Sequence, residues 1–156
     1  MKHLLMAMVV CFVIALAGIT SVESQEFNVE PVIIQEGIDN LVQIEQIGAD
    51  LAETETQNSN QIDINQIGNE NQIFLTQHFN TDSSFLLNQN GNSNMAEVSQ
   101  GEFTSEAYIF QTGDGNILNL NQNGNSNFAL INQMGNGHHL SVTQIGFNNL
   151  AAIVQQ

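Results

Sequence analysis

The side chains whose spacing could do chemistry in this chain are carboxamides. Glutamine returns every eleven residues at Gln111, Gln122, Gln133, Gln144 and Gln155, and the first four open the phrase Q-x-G-x-x-(N/H). An amide neither attacks carbon nor shuttles protons at neutral pH; it offers a donor and an acceptor in one group. Amides stacked in register can therefore bond along a column, where aligned carboxylates would repel one another. Followed backwards, the register takes in Gln100, Gln89, Gln77, Gln66, Gln57, Gln46 and Gln35, with steps of eleven broken by one nine and one twelve. The candidate site is thus an amide ladder of Gln46, Gln57, Gln66, Gln77, Gln89, Gln100, Gln111, Gln122, Gln133, Gln144 and Gln155. The asparagines of the phrase, Asn71, Asn94, Asn116, Asn127 and Asn149, extend it. The turn glycines Gly48, Gly68, Gly91, Gly113, Gly124, Gly135 and Gly146 accompany it.

Other chemistries find little support. His138-His139 invites a metal, but neighbours on a strand point to opposite faces, so His138 reads as a turn residue standing where the phrase has Asn. The acidic residues form no calcium loop of the nonapeptide or helix-loop-helix kind, and read as solvated outer charge. Asp50 and Glu53 could pair for glycoside hydrolysis, yet nothing sets them apart from the other acids. No enzymatic activity, no metal and no cofactor is expected.

The elements that must position the amides follow from the residues two and four places before each glutamine. These are Ile44 and Val42, Ile64 and Ile62, Leu75 and Ile73, Leu87 and Phe85, Val98 and Ala96, and so on to Ile153 and Ala151; ten of the twelve glutamines have apolar residues at both places. The intervening positions are mostly polar, so the period is two and the elements are strands of about five to seven residues. A helical solenoid or coiled coil is excluded. One strand and one turn reverse the chain, so two units make a coil of about 22 residues, and the fold class is all-β, a two-sheet β-solenoid of about five strand-turn-strand rungs.

Alternate glutamines, Gln46, Gln66, Gln89, Gln111 and Gln133, are each followed two places on by Gly: Gly48, Gly68, Gly91, Gly113 and Gly135. The other column is mixed, with Gly37, Ser59, Phe79, Glu102, Gly124 and Gly146. This predicts one tight set of turns and one that tolerates insertions, with half-rungs at Gln35 and Gln155. Glu53 and Glu55 take the inward places before Gln57, so that strand is expected to slip, flip or stay loose.

The chain has 22 Asn, 17 Gln and sixteen acidic residues against one basic residue, Lys2. Residues 1–24 read as a cleaved signal peptide, with Lys2, the apolar run Leu4 to Ala17, and Val22-Glu23-Ser24 before the cut. The run is shorter than the ~20 residues of a membrane span, so no membrane insertion is expected. Cys11 leaves with the peptide, taking disulfide and thiol chemistry with it. Residues 25–34 read as a lead or secretion segment and 35–156 as the repeat domain. Without Lys or Arg, the secreted chain has nothing to neutralise phosphates, so nucleic acid is excluded as a partner.

Every acid lies at or before Asp114. Residues 115–156, uncharged but for histidine and free of Pro, are the part most able to add to a growing cross-β end. This half is expected to drive polymerisation and the acidic half to restrain it.

The repeats resemble those of the curlin family, the subunits of bacterial curli amyloid fibres, whose unit is written S-x5-Q-x-G-x-x-N-x-A-x3-Q. Its Q-x-G-x-x-N-x5-Q part stands here at Gln66-Gly68-Asn71-Gln77, Gln89-Gly91-Asn94-Gln100, Gln111-Gly113-Asn116-Gln122 and Gln122-Gly124-Asn127-Gln133. Gln35-Gly37-Asn40-Gln46 and Gln144-Gly146-Asn149-Gln155 fit it too, and the likeness covers about 120 of the 156 residues. The closing Ser141 to Phe147 is similar to the last repeat of the major subunit. Leu51 and His138 depart from the Asn, the leading Ser is mostly missing, and no Gly-rich secretion segment follows the signal peptide. The resemblance implies a secreted, self-polymerising fibre of the cell surface, with roles in biofilm matrix, adhesion and aggregation. It also implies a nucleator subunit, a secretion channel and a periplasmic chaperone as partners. Two alternatives stand beside it, a minor nucleator of the same fibre and a monomeric surface-binding β-solenoid adhesin. The nucleator would be expected to carry basic residues near its C-terminus, and the adhesin a regular outer array of Thr or aromatic residues.

Overall fold

In the computed structural model, which describes residues 12–15, 18–24, 31–47, 60–78, 82–101 and 104–156, every regular element is a strand. In chain order these are β1 (Phe12–Ala15), β2 (Gly18–Ser24), β3 (Val32–Glu36), β4 (Asn40–Ile47), β5 (Gln61–Ile67), β6 (Gln72–His78) and β7 (Ser84–Asn90). Then follow β8 (Met95–Gly101), β9 (Glu106–Thr112), β10 (Ile117–Asn123), β11 (Phe128–Met134), β12 (His139–Ile145) and β13 (Leu150–Gln155). The odd strands form sheet A, in the order β1-β3-β5-β7-β9-β11-β13, and the even strands form sheet B, from β2 to β12. All pairing is parallel and in register, as in Gln66↔Gln89 and Leu120↔Val142. The chain winds from one sheet to the other and back, which is the all-β two-sheet solenoid that the period-two repeat predicts.

Alternation decides which face turns inward. In β9 the inward Ala107, Ile109 and Gln111 are buried, while Glu106, Tyr108 and Phe110 between them are half-exposed. Parallel sheets elsewhere are mostly covered on both faces and read as continuous apolar runs. Here only the inner face is covered, so the alternation survives. The core is four aliphatic columns one side chain deep, such as Ile33-Ile64-Leu87-Ile109-Ile131 in sheet A and Ile44-Leu75-Val98-Leu120 in sheet B. Outward positions are mixed on both sheets. Sheet A carries Leu86, Tyr108, Phe110 and Leu130 beside Asn65, Asn88 and Asn132, with the rings of Tyr108 and Phe128 5.6 Å apart. Sheet B carries Phe74, Met95 and Ile117 beside Glu97, Asn119, Ser141 and Thr143.

The structure corrects which glutamines share a column. β3 pairs directly with β5, setting Gln35 beside Gln66 in sheet A, and β4 pairs with β6, setting Gln46 beside Gln77 in sheet B, whereas the alternation of glutamines sets Gln46 with Gln66. Gln57 and Gly48 lie outside the described residues. The alternation counts a strand with Glu53 and Glu55 in inward slots, which would take two carboxylates into an apolar core at several kcal/mol each. The uniform glycine column is accordingly Gly37, Gly68, Gly91, Gly113 and Gly135, and Gln35 opens a full coil rather than a half. Both long steps fall in the return turns from sheet B to sheet A, Gln46 to Gln66 and Gln77 to Gln89.

The strands β1 and β2, within the residues read as a signal peptide, continue the two sheets past β3 and β4. β3 itself begins inside the segment read as a lead.

Candidate functional site

Each inward glutamine sits at the end of a strand, where its side chain meets the same residue one coil away. In sheet A, Nε2 of Gln35 donates to Oε1 of Gln66 at 2.7 Å, and the series continues Gln66 to Gln89 at 2.9 Å, Gln89 to Gln111 at 2.7 Å, Gln111 to Gln133 at 2.9 Å and Gln133 to Gln155 at 2.9 Å. In sheet B, Gln77 donates to Gln100 at 2.9 Å, Gln100 to Gln122 at 3.0 Å and Gln122 to Gln144 at 2.9 Å. In every one of these bonds the donor belongs to the earlier coil. Gln46 is in register below Gln77.

The same Nε2 groups also cross the core to carbonyls at strand starts in the facing sheet. Gln111 reaches Met95 O at 3.1 Å, Gln122 reaches Glu106 O at 3.1 Å, Gln133 reaches Ile117 O at 3.3 Å and Gln144 reaches Phe128 O at 3.0 Å. A buried amide without partners costs about 1–3 kcal/mol. Here the group is satisfied on both sides and fastens coil to coil and sheet to sheet at once.

The asparagines close the turns. Oδ1 of Asn71 accepts from the backbone N–H of Asn94 at 3.1 Å, and Oδ1 of Asn94 from that of Asn116 at 3.0 Å. Nδ2 of Asn94 donates to Gly113 O at 2.7 Å and Nδ2 of Asn116 to Gly135 O at 2.8 Å, each on the coil above. His138 occupies the next place in this column. Its backbone N–H donates to Asn116 Oδ1 at 3.1 Å, and its ring Nε2 reaches Met134 O at 3.0 Å, as the Asn116 amide reaches Thr112 O at 3.4 Å. A proton on Nε2 makes the ring a substitute for the amide. Among the described residues no group of three metal-ligating side chains occurs.

In the return turns, Asn149 Nδ2 donates to Asn127 Oδ1 at 2.9 Å, while Asn127 Nδ2 is buried without a partner.

Asn40, which fits the phrase opened by Gln35, heads the asparagine column. Sequence reasoning missed Ser83 and Ser105, which take the asparagine place in two return turns, where Ser105 N–H donates to Ser83 Oγ at 3.2 Å. Nothing in the type of these serines marks them. A third ladder runs along the outside of the uniform turns. The backbone N–H of Asn69 donates to Asn92 Oδ1 at 3.1 Å, that of Asn92 to Asp114 Oδ1 at 2.8 Å and that of Asp114 to Asn136 Oδ1 at 2.8 Å. Its signal was legible, as Asn or Asp one place after the glycine. A lone Asp is tolerated because its neighbours in the column are amides.

The glycines are required by stacking as well as by φ. Gly68, Gly91 and Gly113 have φ between +109° and +129°, and a Cβ on any of them would overlap the carbonyl of the next glycine in the column. Gly124 meets the same obstacle at Gly146. At Gly146, on the last coil, the nearest atom is Asn149 Nδ2 at 3.8 Å. The backbone bonds of the turns, such as Gly113 N to Asn90 O at 2.9 Å, carry the sheet pairing round each corner.

Among the described residues, β12 is the outermost strand of sheet B on the C-terminal side and β13 that of sheet A. Ala151 and Ile153 are only partly buried, whereas Ala129 and Ile131 one coil earlier are fully buried.

Residues 118–146, from the core of β10 through the Gly146 turn, match the curlin-associated repeat family. No curated protein and no solved structure matches the chain significantly.

Proposed function

We propose that this chain, a bearer of the curlin-associated repeat, is the structural subunit of an extracellular amyloid fibre that grows by stacking one solenoid on the next. The observation that carries this reading is the in-register stack itself. Coil after coil sets glutamine on glutamine and aliphatic on aliphatic in both sheets, all parallel, which is the pairing of cross-β fibres. Soluble β proteins blunt sheet edges with Lys, Pro, bulges or a covering element. Here β12 and β13 hold no Pro, Lys, Arg, Asp or Glu.

The reading extends to export by a signal peptide cleaved after Ser24, deposition at the cell surface, and a place in biofilm matrix and adhesion. A nucleator, a secretion channel and a periplasmic chaperone are its partners by likeness to the curlins. The decisive experiment incubates the purified secreted chain alone. Congo-red-binding filaments with a reflection at about 4.7–4.8 Å are expected, and a stable monomer without that reflection discards the proposal.

Two further results follow from where the charge lies. Removing residues 134–156 takes away β12 and β13 and is expected to lengthen the thioflavin lag several-fold; an unchanged lag and growth rate would remove this region from the driving role. Raising ionic strength from about 0.01 M to 0.15 M shortens the Debye length from about 30 Å to 8 Å. Screening of the acidic residues is therefore expected to shorten the lag of the intact chain, and a lag that lengthens with salt would contradict the restraining role of the acids.

A further inference from the structure

Three asparagines are followed directly by glycine, at Asn90-Gly91, Asn123-Gly124 and Asn136-Gly137, and each pair stands at a corner of the solenoid. Such a pair has a chemistry of its own. With no side chain on the second residue, its backbone nitrogen can reach the amide carbon of the asparagine and close a five-membered ring. The nitrogen gives up its proton and bonds to Cγ, the Cγ–Nδ2 bond breaks, and Nδ2 takes up a proton and leaves as ammonia. Water then opens the cyclic imide. Attack at one carbonyl gives an aspartyl residue, and attack at the other an isoaspartyl residue whose main chain is one carbon longer.

Stacking holds these pairs away from ring closure. At Asn136-Gly137 a single residue of the coil before restrains both reacting groups: the backbone N–H of Asp114 donates to Asn136 Oδ1 at 2.8 Å, and Asp114 O accepts the Gly137 N–H at 2.9 Å. At Asn90-Gly91 the peptide is fixed from both sides, since Gly91 N–H donates to Ile67 O and Gly113 N–H donates to Asn90 O, each at 2.9 Å. Asn123 O likewise accepts from Gly146 N–H at 2.9 Å. Ring closure turns each of these peptides and strips its nitrogen of the proton, so it waits until a coil lifts from its neighbour.

We propose that Asn90, Asn123 and Asn136 are sites of spontaneous deamidation, open while the chain is unstacked and closed by the stack, so that a chain kept waiting loses its capacity to build. The protection rests on the coil contacts alone, and the loss of building capacity rests on the fibre reading. Both products damage the stack. Asn123 and Asn136 lie within residues 115–156, which hold no Asp or Glu, so deamidation puts acids into the part expected to drive polymerisation. At position 136 the new carboxylate stands over Asp114 at the strand spacing of about 4.8 Å, and like charges directly opposite are unfavourable. The isoaspartyl product lengthens corners that have no room, because a Cβ on Gly91 would already overlap Gly113 O and one on Gly124 would overlap Gly146 O.

The test ages the secreted chain at one temperature in mildly alkaline buffer, unstacked in guanidinium chloride and as grown fibres, and maps the mass gain of deamidation onto its peptides. Modification at the three sites is expected to be more than about tenfold faster in the unstacked chain, and equal rates overturn the protection. Gly137→Ser alone is expected to suppress the mass gain at Asn136 several-fold and to leave Asn90 and Asn123 unchanged, a readout that needs no growth; an unchanged rate at Asn136 overturns its assignment. Aged and fresh unstacked chains are then returned to buffer and their thioflavin growth compared. The aged chain is expected to grow several-fold more slowly than the fresh one. The control breaks every pair with a residue that another coil already has in that place: Asn90→Thr as at Thr112, Asn123→Ile as at Ile145, and Gly137→Ser as at Ser93. Ser93 stands at φ +58° and Gly137 at +69°, with no atom within 4 Å of a Cβ built on Gly137. This triple variant is expected to grow equally well aged and fresh. An unsubstituted chain that ages without loss, or a triple variant that loses as much, overturns the link between these sites and growth. Failure of the fresh unsubstituted chain to form fibres overturns the fibre reading alone, since the mass comparison then runs against the folded solenoid in the same buffer.

Discussion

Gly113→Ala is expected to stop fibre growth, whereas Gly115→Ala, two residues along the same turn, is expected merely to slow it. A Cβ on Gly113 would overlap the Gly135 carbonyl oxygen and come within 2.8 Å of the Gly135 carbon and of Asn136 Oδ1. Neither turn can yield, because the backbone N–H groups of Gly113 and Gly135 are both fixed at 2.9 Å to the coil before them. Backbone strain at φ +109° adds to the overlap. Together these are expected to cost about 3–5 kcal/mol. Gly115, at φ +68°, has no atom within 4 Å of a built Cβ. Seven other turns place Asp39, Glu70, Asp82, Ser93, Thr104, Ser126 or Asn148 in the same conformation, at φ between 54° and 58°. The left-handed penalty of about 1–2 kcal/mol is all that remains there. Thioflavin growth curves and sedimentation of the two variants decide the matter. Growth of Gly113→Ala at a rate near that of Gly115→Ala would show that the close approach between coils is not a constraint.

Gln111→Glu is the second large effect, and it depends on pH. Gln111 is fully buried, and its Nε2 faces Gln133 Oε1 at 2.9 Å, Met95 O at 3.1 Å and Asn116 O at 3.3 Å. A carboxylate oxygen in that place would meet three acceptors with nothing to donate, in a core without a cation. An unpaired buried charge costs about 3–5 kcal/mol, so the introduced carboxyl takes up a proton and its folded pKa rises well above the ordinary value near 4.3. The sign follows from linkage. A folded pKa above the unfolded one leaves stability fully present below the unfolded pKa and withdraws it as pH rises through the folded pKa. Gln111→Glu is therefore expected to assemble at about pH 4, where the protonated carboxyl can donate to one acceptor, and to fail at pH 7. Gln111→Leu, which keeps the bulk but not the amide, is expected to be impaired at both. Equal assembly of Gln111→Glu at pH 4 and pH 7 would mean that the ladder position tolerates charge.

Much of this architecture was legible because each inward residue is read twice, once by the period of two along its strand and again by the recurrence every eleven residues. The columns show the limit of the second reading. Counting glutamines sets Gln46 with Gln66, whereas β3 pairs with β5 and puts Gln35 there, and the inward Glu53 and Glu55, visible in the sequence, mark the one unit whose place in the count was open to doubt on charge alone. Ser83 and Ser105 were hidden for the opposite reason, since a hydroxyl that accepts one backbone hydrogen bond does not resemble the asparagine it replaces. The glycines were legible as turn residues. Their second role, making room for the carbonyl of the coil above, belongs to a contact about 22 residues away, which a single repeat cannot reveal.

The direction of the side-chain bonds has a consequence of its own. Peptide groups along a parallel strand point alternately up and down the stack and nearly cancel, so a sheet has little net dipole. The glutamine amides do not alternate. From Gln35 to Gln155 and from Gln77 to Gln144 each hands its hydrogen toward the C-terminal coil. Groups of about 3.5 debye aligned head to tail add as they do in an α-helix, and two such columns run side by side through the solenoid. The C-terminal face, where Gln144 and Gln155 end the columns, is the positive pole. A filament built from copies facing one way inherits the sum, so its tips are chemically unlike and grow at different speeds, and two filaments meeting tip to like tip would be repelled.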